Sequence, residues 1–502
     1  MKIAIMISFL LSIWHSILFY QQKPGISVIL FFVPLTLGLL HILRKNNKIK
    51  KKQGYWLIIP IIMLSITYAI WNQSFFQSVN IVSIILLIVL MIIWLTMDVS
   101  QLGVLVSKIA SFLLGPIEYV MDALISVKEC FFSFSPGHNK KQYVVIKRVV
   151  KGILFSIPVV LVVLGLLISA DSIFATLFSG ISEGIEKLMK SESLVLLIAR
   201  VILILLIAIY FISFSYYVIK IAKEPGDIPE KQPKARKDVI AINCVLTIFN
   251  IIYAVFCTIQ VSVLFTPIAR TQDFNYAQYA RTGFFQLMAV SVINFAIILF
   301  CKTGLQKNRY TMIMQLLLAA FTIIIVFSSG YRMYLYENEF GYTFLRLMVY
   351  AILATELIAM VPTIIFILKE KINIIKCYLV IGITMYVIIN YINIDQVIAK
   401  RNIDRYFKTG KIDVSYLQNE TGVDAVSQMV RLLEVPNGKK VESAEEVRIQ
   451  VNNYLVSMKK QMTDLSWQEW NMGKQRADEI ITQKNLKLIM LEDSYETPYG
   501  MD

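Results

Sequence analysis

Eleven predominantly apolar stretches fill most of the chain before position 393, separated by short polar connections. Crossing about 30 Å of hydrocarbon takes roughly 20 residues of α-helix. The stretches at 3–20, 26–43, 56–71, 81–97, 152–170, 193–218, 239–265, 284–301, 312–328, 343–368 and 377–392 reach or approach that length. Lipid offers no partners for backbone N–H and C=O groups, so each stretch is predicted to be helical. The stretch at 56–71 is short and contains Pro60. The first stretch does not read as a removable signal peptide. It ends in Tyr20, Gln21, Gln22 and Lys23 with no small-residue cleavage site, and a second apolar stretch follows at once.

Two regions break the pattern. Residues 98–151 do not read as a span, because the apolar segment 102–127 is interrupted by Lys108, Gly115, Pro116, Glu118 and Asp122. An amphipathic helix pair on the inner surface is predicted there; a further crossing is the alternative. Residues 393–502 are soluble in character. Asp395 is expected to cap a helix to about Lys408, and 424–433 and 444–465 have apolar residues at helical spacing. Ser466 with Glu469 matches a capping box opening a further helix, and 486–491 could form one strand. The predicted fold is an all-α polytopic transmembrane helix bundle of about eleven spans with a mostly helical C-terminal domain. Its segments are 1–97 with four spans, the interfacial 98–151, a seven-span core at 152–392, and the tail 393–502.

Charge supplies the orientation. Lys and Arg are costly to translocate and gather in cytoplasmic loops. Of the 34 Lys and Arg residues before position 393, 26 fall at Lys2 and on the alternate connections 44–52, 108–151, 220–237, 302–309 and 369–376. The other connections and their helix ends hold 7, and Arg200 lies inside a span. The N-terminus is therefore expected in the cytoplasm and, after an odd number of crossings, the C-terminus outside.

The net charge of +15 is thus a feature of membrane topology. It is not clustered with base-reading side chains, so a nucleic-acid partner is not expected. Overall 57% of residues are hydrophobic and 17% charged, against about a quarter charged in soluble domains. The five cysteines have no CxxC spacing, and His15, His41 and His138 are too dispersed to share a metal. No metal and no cofactor is expected. HExxH, Walker, GxSxG and GxGxxG motifs are all missing.

Several segments carry a likeness. Ser169-Ala-Asp-Ser-Ile-Phe-Ala175 closes the fifth stretch, and Asn275-Tyr-Ala-Gln-Tyr-Ala-Arg-Thr-Gly-Phe-Phe-Gln-Leu287 opens the eighth. Tyr331-Arg-Met-Tyr-Leu-Tyr336 and Gly341-Tyr-Thr-Phe-Leu-Arg346 open the tenth. Asn393-Ile-Asp395 leads to Ile412-Asp-Val-Ser-Tyr-Leu417 and Asp424-Ala-Val426. Over roughly residues 150–435 the chain resembles the bacterial membrane families catalogued as domains of unknown function 4173 and 4153. Ile394 stands where such proteins often have Pro. The resemblance implies a bacterial plasma-membrane protein and brings no activity, substrate or catalytic residue.

Candidate site residues come in two sets. Arg200 and Glu356 are ionisable side chains inside spans, at depths differing by roughly 9 Å at about 1.5 Å per residue. A charge at membrane depth needs a partner or water, so a structural ion pair, a substrate or proton site, or snorkelling is expected. Asn243, Asn250, Gln260, Asn294 and Gln315 also lie within spans and suit interhelical hydrogen bonding. The second set is external: Asp171, Arg270, Tyr276, Tyr279, Arg281, Arg332, Tyr336 and Arg346, with Asp273, Tyr334, Glu337, Glu339 and Tyr342 nearby. Tyr anchors at interfaces, and Arg binds anions bidentately. This set therefore ties loops together, docks the tail, or binds an anionic envelope component. Asp171 could alternatively be a catalytic acid.

The lipid bilayer is one expected partner, and an envelope protein or anionic component another. A non-enzymatic envelope scaffold, sensor or accessory subunit is the leading expectation. A transporter or flippase using Arg200 and Glu356, and an outer-face transferase, are the alternatives.

Overall fold

The computed structural model describes residues 2–97, 102–132, 156, 163, 192–221, 239–265, 284–302, 308–369, 372–434, 444–462 and 465–489. It is an all-α bundle; no strand occurs among the described residues. Ten helices are long and apolar enough to cross a membrane. The predicted span at 152–170 lies, apart from residues 156 and 163, outside the described residues, as do Asp171, Arg270, Tyr276, Tyr279 and Arg281.

The first helices are α1 (Lys2–Phe19), α2 (Ile26–Lys45), α3 (Ile58–Ile70, led in by a 3-10 turn at Gln53–Leu57) and α4 (Ser74–Thr96). The segment read as an amphipathic pair forms α5 (Leu102–Glu118) and α6 (Val120–Phe132), bent by 52° at the break. Both pack on α7 (Glu192–Ile221). Ser8, Ser12 and Ser16 recur every fourth residue on α1 and are buried. Such a stripe of small residues allows close helix approach in lipid, and α7 lies against α1, with Ser8 Oγ 3.4 Å from Ser215 Oγ. Gly115 admits α5 to the same helix, since a Cβ there would lie 2.3 Å from the Tyr217 ring.

A second group comprises α8 (Val239–Phe265), α9 (Phe284–Lys302), α10 (Arg309–Phe340) and α11 (Phe344–Leu368). Their apolar faces form a separate core around Leu246, Leu318 and Met360. The next helix, α12 (Ile374–Tyr391), packs on both α3 and α11 and so joins the two groups.

Two spans run past their predicted ends. Residues 72–80 were expected as connection, yet α4 begins at Ser74. Polar side chains are sustained there by interhelical bonds: Asn80 Nδ2 donates to Asn390 Oδ1 at 2.7 Å, and Tyr386 OH donates to Asn80 Oδ1 at 2.5 Å. Likewise α10 continues through Arg332 and Tyr336 to Phe340, where a loop from Ser329 was expected. It ends at Gly341, whose φ of 82° favours glycine.

The tail adds α13 (Ile394–Thr409), α14 (Val414–Glu420), the single turn α15 (Val426–Met429), α16 (Ala444–Met462) and α17 (Met472–Lys484). They enclose a core of Ile398, Ile403, Tyr406, Leu432 and Leu455, to which Phe76 of α4 contributes. Three local readings are corrected. Asn393, not Asp395, caps α13, accepting from the Gln396 N–H. Ser466 and Glu469 open only a 3-10 turn and make no capping box; Asn471 caps the helix that follows. The described part of the proposed strand, to residue 489, pairs its backbone with side chains instead: Asn453 Oδ1 accepts from Ile489 N and Asn452 Nδ2 donates to Lys487 O.

Candidate functional site

Connections on each side of the bundle meet one another. On one face Lys50 N and Lys51 N donate to Leu95 O, and Lys376 Nζ donates to Gln53 Oε1. Lys220 Nζ lies 4.6 Å from the Tyr119 ring. This is the Lys-rich face. On the opposite face the tail domain grips three connections, and that seam is the candidate site.

At 20–26, Ile26 N donates to Trp470 O at 3.0 Å and Lys23 N to Glu469 Oε1 at 3.0 Å. Ser466 Oγ meets Gln22 Oε1. The two capping-box side chains are thus spent on docking. Gly25 is required by proximity, because a Cβ would lie 2.5 Å from the Glu469 carbonyl carbon. At 68–73, Asn471 Nδ2 donates to Tyr68 O at 2.6 Å and Trp71 O at 2.8 Å. Its Oδ1 accepts from Gly473 N and Lys474 N, so one amide caps α17 and clamps α3.

At 341–344 the recognition is again of backbone. Tyr342 N donates to Asn402 Oδ1 at 2.9 Å, and Asn402 Nδ2 returns a bond to Tyr342 O at 2.7 Å. Phe344 N donates to Tyr416 OH at 2.9 Å. Arg346 shapes this turn: it donates to Phe340 O and Gly341 O and lies 4.3 Å from the Tyr336 ring. Two members of the external set, Tyr336 and Arg346, therefore act together. Arg332 is buried within the second helix group and donates to Gln260 Oε1 at 3.0 Å.

Two carboxyls lie inside the seam. Asp424 Oδ2 accepts from Asn72 N at 2.6 Å, and Asp395 Oδ2 accepts from Gly422 N at 2.9 Å. Each is less than a tenth exposed. Burial pushes the Asp424 carboxyl up to about 7, opposed by the Asn72 bond, reinforced by Asp395 and relieved by Arg476. Burial likewise pushes Asp395 up to about 6, against the Gly422 bond. Sequence reading placed Asp395 at a helix start and missed this role.

Arg200 and Glu356 have separate partners. Arg200 Nε donates to Ser16 Oγ at 2.9 Å, and its guanidinium lies 5.5 Å from the Tyr20 ring. Glu356 accepts from Ser291 Oγ at 2.7 Å, within the second helix group. The intramembrane amides mostly join helices. Asn250 Nδ2 donates to Met314 O, Asn294 Nδ2 to Thr322 Oγ1, and Thr311 Oγ1 to Asn243 Oδ1. No group of three or more possible metal ligands occurs among the described residues.

Many apolar spans with a folded domain clamped to one face define a polytopic integral membrane protein. More closely, the chain belongs to the family described as domain of unknown function DUF4153, whose family model matches residues 58–432. The match begins in α3, well before the likeness noted at 150–435, and takes in Asn72, Tyr342, Asp395, Asn402 and Asp424 of the seam. Of the two families resembled, only 4153 is matched. No curated protein and no solved structure matches the chain.

Proposed function

We propose that this is a multi-pass protein of a bacterial plasma membrane, with its N-terminus in the cytoplasm and its C-terminal domain outside. In this reading it serves as an envelope scaffold, sensor or accessory subunit rather than as a catalyst. The supporting observation is the seam: three connections opposite the Lys-rich face are held by one domain through bonds to backbone. A domain held in this way presents a rigid surface at a fixed height above the lipid. Lys400, Arg401, Lys408 and Lys411 are exposed on or just beyond α13. Arg405 stands among them, donating to Asn338 O. That patch suits a polyanionic envelope component, since cations attract such a partner over roughly a Debye length.

Two measurements test the reading. A fluorescent reporter that matures only in cytosol, fused after Asp502, is expected to stay dark; fluorescence overturns the orientation. Purified full-length protein titrated with polyglycerol phosphate is expected to bind, and Lys400→Glu with Lys408→Glu to weaken binding at least several-fold. Equal binding by both forms removes the polyanion assignment. A transporter reading would draw on Glu356, whose Oε1 is buried with no partner among the described residues. The described cavities, however, are walled by apolar side chains or are too small to form a path.

A further inference from the structure

A cleft of about 580 Å³ opens between the four helices α1, α2, α4 and α7, with Leu113 of α5 also on its wall. That volume falls in the range of small-molecule sites, about 300–1,000 Å³. Its walls are apolar side chains such as Leu35, Ile85, Ile88 and Phe211, with His15 and Tyr210 the polar-bearing exceptions. All four helices are membrane-crossing candidates, so hydrocarbon is the medium this cleft meets.

One end of the cleft carries a cation. Ile207, Phe211 and Phe214 of α7 line the wall, and Arg200 precedes them by 7, 11 and 14 residues. At about 100° per residue these spacings return to one face, so Arg200 crowns the lined side of the helix. On α1, His15 and Phe19 line the cleft, while their chain neighbours Ser16 and Tyr20 contact Arg200. The guanidinium thus sits level with the cleft's end, at the last turn of α1, where headgroups lie. Its contacts among the described residues, a hydroxyl and a ring, are both uncharged. A cation near hydrocarbon calls for a counter-anion, and Arg matches a phosphate with two parallel donors.

We propose that the cleft holds one acyl chain of an anionic phospholipid, with its phosphate on Arg200. The occupant follows from the pairing of an apolar slot with a guanidinium at one end whose contacts among the described residues are uncharged. Neither the seam nor the polyanion patch enters, so this site stands or falls separately from the functional reading above.

Native mass spectrometry of the full-length protein in detergent, with phosphatidylglycerol or phosphatidylcholine added, tests it. The wild type is expected to retain one phosphatidylglycerol in preference to phosphatidylcholine, by about fivefold for one favourable charge contact. Ile85→Trp fills the slot from a half-exposed position and is expected to lose the retained lipid of both kinds. Arg200→Gln is expected to keep a lipid and lose the preference. Circular dichroism melting confirms that each variant is folded, and Arg200→Lys, which keeps the charge, covers a destabilised Arg200→Gln by restoring part of the preference. Retention unchanged in Ile85→Trp, no headgroup preference in the wild type, or a lipid-free dimer overturns the proposal.

Discussion

Replacing Asn402 by Ala removes both side-chain bonds to the Tyr342 backbone, at 2.9 and 2.7 Å, with no change of charge. Each such bond contributes about 0.5–1.5 kcal/mol net, and more where the abandoned group stays buried. Asn402 and Tyr342 are half-buried, so water can reach part of what is lost. The expected cost is therefore about 1–3 kcal/mol, a factor of about 5–150 in the equilibrium for seam opening. Hydrogen exchange on the full-length protein reads this at amides that the substitution does not touch. Phe344 N donates to Tyr416 OH and Asn72 N to Asp424, both across the seam. Both should exchange faster by a similar factor if the domain lifts as a unit. Asn453→Ala serves as control, because it removes an equivalent clamp on Ile489 within the tail and leaves the seam bonds in place. Unchanged exchange at both amides in Asn402→Ala would refute the view that backbone recognition holds the domain down. Acceleration confined to Phe344 would show three independent contacts rather than one seam.

Proton linkage gives the second prediction. Asp395 and Asp424 are pushed up to about 6 and about 7 by burial, so the docked state holds protons that the undocked state releases. Their contribution to docking is fully present below about pH 4 and is lost as pH rises through 6 to 7, so denaturant-induced release of the tail should need less denaturant at pH 8 than at pH 5. Asp424→Asn should flatten the upper part of that profile, and a profile unchanged by it would remove Asp424 as the titrating group. Gly473→Ala places a Cβ 2.0 Å from Asp424 Oδ1, and overpacking of this kind costs about 1–3 kcal/mol, so a clear fall in melting temperature is expected. Gly115→Ala should likewise destabilise through the Tyr217 ring, with Tyr217→Ala relieving the clash in the double variant; additive losses would contradict that cause.

Apolar runs of membrane length, met by lipid, leave the backbone no option but the helix, so the existence of the described spans was legible in composition. The alternation of Lys and Arg told which connections share a side, and the contacts of Lys50, Lys376 and Gln53 on one face and of Tyr342 and Asn72 on the other agree with it. Helix ends were poorly legible where polar side chains continue a span. Asn80, Arg332 and Glu337 read as loop, yet partners on other helices bond them in place. Tail motifs were misread for the same reason. Ser466 and Glu469 have the spacing of a cap, but their oxygens go to Gln22 and Lys23, more than 440 positions away. Solvation by lipid acts on each segment separately and is written in composition. Pairing of buried polar groups depends on which segments meet, and only the tertiary structure decides that.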